Sequence, residues 1–129
     1  MKNGKNGTNG KSHKVAYIDG VAHEIKTNHT SVLKFVREYL GEKKIPSLCD
    51  DPNLAPYGAC RVCSVDVALK KDGPTKTVAS CHTPVTEGSY IITGNEDLTK
   101  LRKNIVELVL TDHPMTCSTC EVNNNCELQ

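Results

Sequence analysis

The feature that most constrains this chain is the spacing of its seven cysteines and one of its five histidines. Cys49, Cys60, Cys63 and Cys81 run C-x10-C-x2-C-x17-C; His113, Cys117, Cys120 and Cys126 run H-x3-C-x2-C-x5-C. This four-plus-four division leaves no cysteine over, and an odd count of seven would leave an orphan in any disulfide framework. The spacing predicts two four-ligand metal sites. Cysteine thiolates favour either zinc or iron–sulfur clusters. Structural zinc usually takes its ligands as two close pairs, but the first set has only the pair Cys60 and Cys63, flanked by isolated cysteines. The loop between Cys49 and Cys60 carries proline and Gly58, so it can wrap a group larger than one ion and aim backbone N–H groups at sulfur. In the second set, Cys117-x2-Cys120 is like half of a bacterial cluster-binding run. A C-terminal zinc knuckle is the alternative for that set.

Composition agrees with a metal-supported fold. A chain of 129 residues with no Trp and one Phe has a lean core for its length, and bound metal adds folding free energy. The net charge of +1 supplies no strong field to recruit nucleic acid or an anionic membrane. No run approaches the roughly 18 apolar residues of a membrane span. Residues 1–14 (MKNGKNGTNGKSHK) are too polar to pack or to act as a secretory signal, and read as a disordered arm. The expected compartment is the reducing cytoplasm, where cysteines serve as ligands more often than as disulfides.

Periodicity predicts a hairpin from Lys14–Asp19 and Val21–Thr27 about Asp19-Gly20. A helix follows, capped by Thr30 or Ser31, with Val32, Phe35, Val36, Tyr39 and Leu40 on one face and Gly41 closing it. Residues 45–59 form a long loop. Strands are expected over Arg61–Leu69, with Cys63, Val65, Val67 and Leu69 on one face, then Thr77–Ser80 and Ser89–Thr93. A second helix over Glu96–Thr111 presents Leu98, Leu101, Ile105, Leu108 and Val109, and Pro114 stops it. The implied class is α+β, a mixed sheet packed on one face by a helix.

The ligand neighbourhoods are distinctive: Leu48-Cys49, Gly58-Ala59-Cys60-Arg61-Val62-Cys63, Ala79-Ser80-Cys81-His82-Thr83-Pro84-Val85, and Asp112-His113-Pro114 through Cys126-Glu127-Leu128-Gln129. From Val15 to Gln129 this series resembles the N-terminal iron–sulfur region of [FeFe] hydrogenases, which is shared with the large cluster-bearing subunit of complex I and with NAD-linked formate dehydrogenases. The resemblance implies a β-grasp, ferredoxin-like [2Fe–2S] domain over 15–94, with Cys49, Cys60, Cys63 and Cys81 as ligands. It also implies a helix and a short His/Cys3 segment over 95–129, with His113, Cys117, Cys120 and Cys126 holding a [4Fe–4S] cluster.

Two features depart from that family. The stretch between Cys63 and Cys81 is longer than usual, and the sequence given ends at Gln129, where family members continue into further cluster modules and a catalytic domain. No hydrogenase active-site cysteines, molybdenum-site residues or Gly-rich nucleotide loop stand in it. With the eight ligands assigned, no nucleophile constellation remains, so no catalytic residue is assigned and the chain alone is not read as an enzyme. The expected function is relay of single electrons between a flavin- or NADH-handling subunit and a catalytic or cluster-bearing subunit. The setting is a soluble, anaerobic-type, hetero-oligomeric oxidoreductase. Its rivals are a zinc-binding interaction module and a fragment of a longer hydrogenase-like enzyme. Among the remaining residues, His82 is expected to be an exposed neighbour of Cys81, and His23 and His29 ordinary surface or turn residues. Arg61 either offsets cluster charge, faces a partner or is merely solvated, and Lys100, Arg102 and Lys103 form a solvated helix face.

Overall fold

The computed structural model describes residues 13–129, so the arm expected over residues 1–14 lies, but for His13 and Lys14, outside the described residues. Strands β1 (Val15–Ile18) and β2 (Val21–Glu24) pair antiparallel through a two-residue turn, Asp19 and Gly20, both at positive φ (48° and 90°). A tight Asp-Gly hairpin requires this geometry.

Helix α1 (Val32–Leu40) starts where Ser31 Oγ accepts the Lys34 N–H, and it ends at Gly41 (φ 90°), whose N–H returns to the Arg37 carbonyl. Strands β3 (Ser64–Ala68), β4 (Thr75–Ala79) and β5 (Tyr90–Ile92) complete one sheet in the order β2-β1-β5-β3-β4. The central β1–β5 pair is parallel and the other pairs are antiparallel. A mixed sheet holding a single helix against one face is the expected α+β, β-grasp arrangement.

The core lies between that face and α1. Val32, Leu33, Phe35 and Val36 pack with Ala16, Ile18, Val65, Ile91 and the loop residue Ile45. Full burial of one such aliphatic or aromatic side chain stabilises by about 1.5–3 kcal/mol. Cys63 and Cys81 belong to the same core, so the first metal set is anchored in the best-packed part of the molecule.

Helix α2 (Glu96–Asp112) is capped by Asn95, whose Oδ1 accepts the Leu98 N–H at 2.8 Å. Glu96 and Asp97 in its first turn oppose the positive end of the helix dipole. Leu98 is buried and Leu101 and Ile105 are half-buried, but Leu108 and Val109 are 71% and 38% exposed. The apolar stripe expected on this helix is therefore covered only in its first half, where α2 meets β3. Two strand boundaries also differ from expectation. β3 begins at Ser64 because Arg61 adopts a left-handed φ of 65°, which breaks extension, and Leu69 lies outside it, 79% exposed. β4 begins two residues early, because the β3–β4 register runs out to the Ala68–Thr75 pair.

Candidate metal centre

The first set assembles from three segments. Cys49 lies on the 42–59 loop, which Arg37 pins to α1: its Nη2 donates to the Ile45 carbonyl and the Ser47 hydroxyl, both at 2.9 Å. Cys60 and Cys63 flank the turn entering β3. Cys81 follows β4 directly, and Ser80 ties the last two together by donating its hydroxyl to the Cys63 carbonyl at 2.6 Å.

Backbone donors converge on the sulfurs. The Cys60 N–H points to Cys49 Sγ at 3.5 Å. Burial disfavours a thiolate at Cys60, but the N–H groups of Val62, Leu48 and Cys49 and the Cys49 thiol face its sulfur and hold its pKa below the ordinary value. The Gly58 N–H faces Cys81. Gly58 has a φ of +67° and lies against Ala79 and His82, a close approach in a conformation that side chains disfavour. Burial, then the adjacent Cys63 thiol, pushes the Cys81 thiol up to about 12. A core thiol held protonated at Cys81, with N–H donors aimed at the sulfurs of Cys49, Cys60 and Cys81, suits a group that displaces the proton and brings its own positive charge. Cys63 and Cys81 are buried while Cys49 and Cys60 are half-buried, so the site has one side in the core and one toward the surface.

The second set forms where α2 ends. His113 is the residue after the helix, Pro114 bars its continuation, and Cys117–Thr119 make one turn of 3-10 helix. Asn124 at φ 66° reverses the chain, and Gln129 closes the loop: its side chain accepts from the Asn124 N–H and donates to Asn123 Oδ1, both at 2.9 Å. His113, Cys117, Cys120 and Cys126 all line one cavity of about 210 Å³, whose other walls include Leu110, Met115, Val122 and Leu128. An apolar wall of this kind controls solvent access and potential in a metal site.

All seven cysteines are free thiols. Among the described residues, no three His, Cys, Asp or Glu side chains converge as a single-ion site; tetrahedral zinc would need sulfurs about 2.3 Å from one centre. Both expected sets are nevertheless brought together as neighbourhoods, the first by hydrogen bonding among its members and the second around its cavity.

Residues 16–96 match the 2Fe–2S iron–sulfur cluster binding domain family. The chain belongs to this family. Residues 102–129 match the NADH-ubiquinone oxidoreductase-G iron–sulfur binding region, which is of the [4Fe–4S] type. The first ligand set falls inside the first match and the second set inside the second, so this iron–sulfur chain carries binding units for both a [2Fe–2S] and a [4Fe–4S] cluster.

Similar proteins include the alpha subunit of the NADPH-Fe(3+) oxidoreductase of Geobacter sulfurreducens, 39% identical over 85 residues, 66% of this chain and 10% of that one. The G subunit of the NADH-quinone oxidoreductase of Buchnera aphidicola is 38% identical over 114 residues, 88% of this chain and 12% of that one. An NAD+-reducing [NiFe]-hydrogenase in its H2-reduced state superposes with a TM-score of 0.71 at 27% identity, covering 90% of this chain and 46% of that chain. This iron–sulfur chain thus spans about a tenth of the length of these curated relatives. The likeness to the NADH-quinone oxidoreductase bears out the complex I side of the resemblance, and the hydrogenase likeness found is to an NAD+-reducing [NiFe] type.

The neighbouring residues divide into those that stand as expected and those that do not. His82 is exposed and Lys100 and Lys103 are solvated, as expected. Arg102, expected on that same solvated face, instead turns inward: its Nη2 donates to the Ser64 and Thr93 carbonyls at 2.7 and 2.8 Å. The cause is its place one residue after Leu101 and four after Leu98, on the stripe that meets β3. His29 is buried rather than at the surface. Its Nδ1 accepts the Lys26 N–H at 3.0 Å, which leaves Nε2–H to donate to Glu38.

Proposed function

We propose that Cys49, Cys60, Cys63 and Cys81 ligate the [2Fe–2S] cluster and His113, Cys117, Cys120 and Cys126 the [4Fe–4S] cluster. The chain then relays single electrons between redox subunits of a larger oxidoreductase. The observation that carries the reading is the placement of the first set: two sulfurs anchored in the core, two toward the surface, and loop N–H groups directed at them. One-electron reduction and reoxidation is the chemistry such clusters supply when bound. The chain's own residues hold the sulfurs, exclude water with Ile45, Val65 and Leu110, and aim N–H dipoles that stabilise added negative charge.

In this reading 15–94 form the ferredoxin-like unit, and 95–129 a helix that delivers the second ligand set. The partners in this reading are a flavin- or NADH-handling subunit and a catalytic or cluster-bearing one, and the NADH-quinone oxidoreductase relative being one subunit of its enzyme supports a multi-subunit setting. We read the setting as the reducing cytoplasm of an anaerobic-type system, where cysteines stay available as ligands. No described helix is long and apolar enough to cross a membrane.

The test is iron, zinc and acid-labile sulfide content of protein purified without oxygen, with a visible spectrum of the same sample. About six irons and six sulfides per chain are expected. Zinc near two per chain, with no sulfide and no colour, would overturn the reading and leave a metal-stapled interaction module.

A further inference from the structure

Arg102 is a cation placed where a solvated helix face was expected. Its guanidinium reaches from α2 into the junction of β3 and β5, and its two backbone acceptors include the carbonyl of Ser64, the residue next to Cys63. Its Nε is buried with no hydrogen-bond partner. Among the described residues, no carboxylate lies within ion-pair distance of it. The nearby carboxylate, Asp66, is engaged elsewhere: its oxygens accept from the Thr77 hydroxyl and from Asn95 Nδ2 at 2.8 Å. Burial pulls the Arg102 pKa down, and its neighbours Cys63 and Asp66 oppose that.

A buried cation without a close counter-ion is costly unless a negative charge stands nearby. A thiolate-ligated cluster is such a charge, and accepting an electron makes it more negative. We propose that Arg102 is a positioning residue for the first cluster, whose half-buried positive charge, held at the Ser64 carbonyl next to Cys63, raises that cluster's reduction potential. The inference rests on Cys63 being a [2Fe–2S] ligand. The step is a one-electron reduction: no bond forms or breaks, and the fixed cation stabilises the reduced state more than the oxidised one. Because the guanidinium is half-buried and held on two backbone carbonyls, added salt screens it less than a surface charge. The second ligand set begins at His113, eleven residues along α2, and serves as an internal reference.

The experiment is an EPR-monitored redox titration of the full chain, purified without oxygen with both clusters, for Arg102→Gln, Arg102→Lys and Asp66→Asn. Iron and sulfide content come first: a chain without a [2Fe–2S] signal in the wild type refutes the ligand assignment itself, independently of Arg102. With the signal present, Arg102→Gln is expected to lower the first midpoint and leave the second in place, at low and high salt alike. Arg102→Lys, which keeps the charge, is expected to stay near the wild type. Asp66→Asn, which removes the neighbouring anion, is expected to move the first midpoint upward. An unchanged first midpoint in Arg102→Gln, or a fall in Arg102→Lys as large as in Arg102→Gln, would overturn the proposal. If Arg102→Gln loses the cluster, Asp66→Asn decides: a rise supports the charge effect and no movement refutes it.

Discussion

Cys63 and Cys81 are the sulfurs that the core holds most firmly, 1% and 2% exposed, and serine at either position offers a harder, less readily ionised donor in the same space. Cys81→Ser is expected to remove the [2Fe–2S] signal while the [4Fe–4S] signal persists, a loss of about two of six irons on analysis. Loss of both signals would show instead that the two sites fold as one. If His113 ligates the second cluster as proposed, histidine in place of thiolate removes a negative charge from its ligand set, as in Rieske centres. His113→Cys is therefore expected to retain a cluster at a lower midpoint, and a midpoint that rises or stays put would contradict this. Away from the metal sites, hydrogen bonds from Lys26, then His29 and Asn28, depress the Glu38 carboxyl from 4.5 to about 2. A group depressed in the folded state stabilises fully above its unfolded pKa, and the gain is lost as pH falls toward the folded value. The melting-temperature gap between wild type and Glu38→Gln should thus hold steady from about pH 7 to about pH 5 and narrow only below that; narrowing between pH ~6 and ~5 would show that another group controls it. The two cluster types were legible because their chemistry is carried by cysteine type and spacing. The neighbours Arg102 and His29 were not, since burial of a polar side chain depends on which backbone carbonyls or carboxylates tertiary packing brings to it.

Element types were legible wherever one face is buried: α1 shows its stripe at helical spacing, and the β1–β2 turn is written in Asp19-Gly20. Boundaries were less so. Arg61 takes a left-handed conformation that its residue type does not announce, and it delays β3 by three residues relative to the alternating pattern. The apolar face of α2 was legible, but its periodicity says that something should cover it, not that this chain does. Phe35 is the largest fully buried side chain of α1. Phe35→Ala is expected to cost about 3–5 kcal/mol in denaturant titrations, and Ser31→Ala, which removes the helix cap, about 1 kcal/mol. Equal costs for the two would mean that α1 is held by its own hydrogen bonds and not by the sheet.

At the scale of the molecule, a cluster on the four first-site sulfurs would join the 42–59 loop, held otherwise by Arg37, to the turn and strand end that β3–β4 pairing already unites. Removing the iron with a chelator under reducing conditions is expected to lower the melting temperature and to raise proteolysis within 42–59 before the sheet is cut. A metal-free protein as stable as the loaded one would show that the small core suffices alone. Helix α2, finally, is a ruler. It is fixed to the sheet at Leu98 and Arg102, close to the first site, and it releases the chain at Asp112, one residue before the second. Ten residues at 1.5 Å each set an axial offset of about 15 Å between those points. A one-residue insertion between Arg102 and Asp112 would turn the far site by about 100° about the axis while hardly changing that offset, whereas a whole added turn would keep its heading and lengthen the gap by about 5 Å. Orientation and spacing can thus be varied separately in one continuous element.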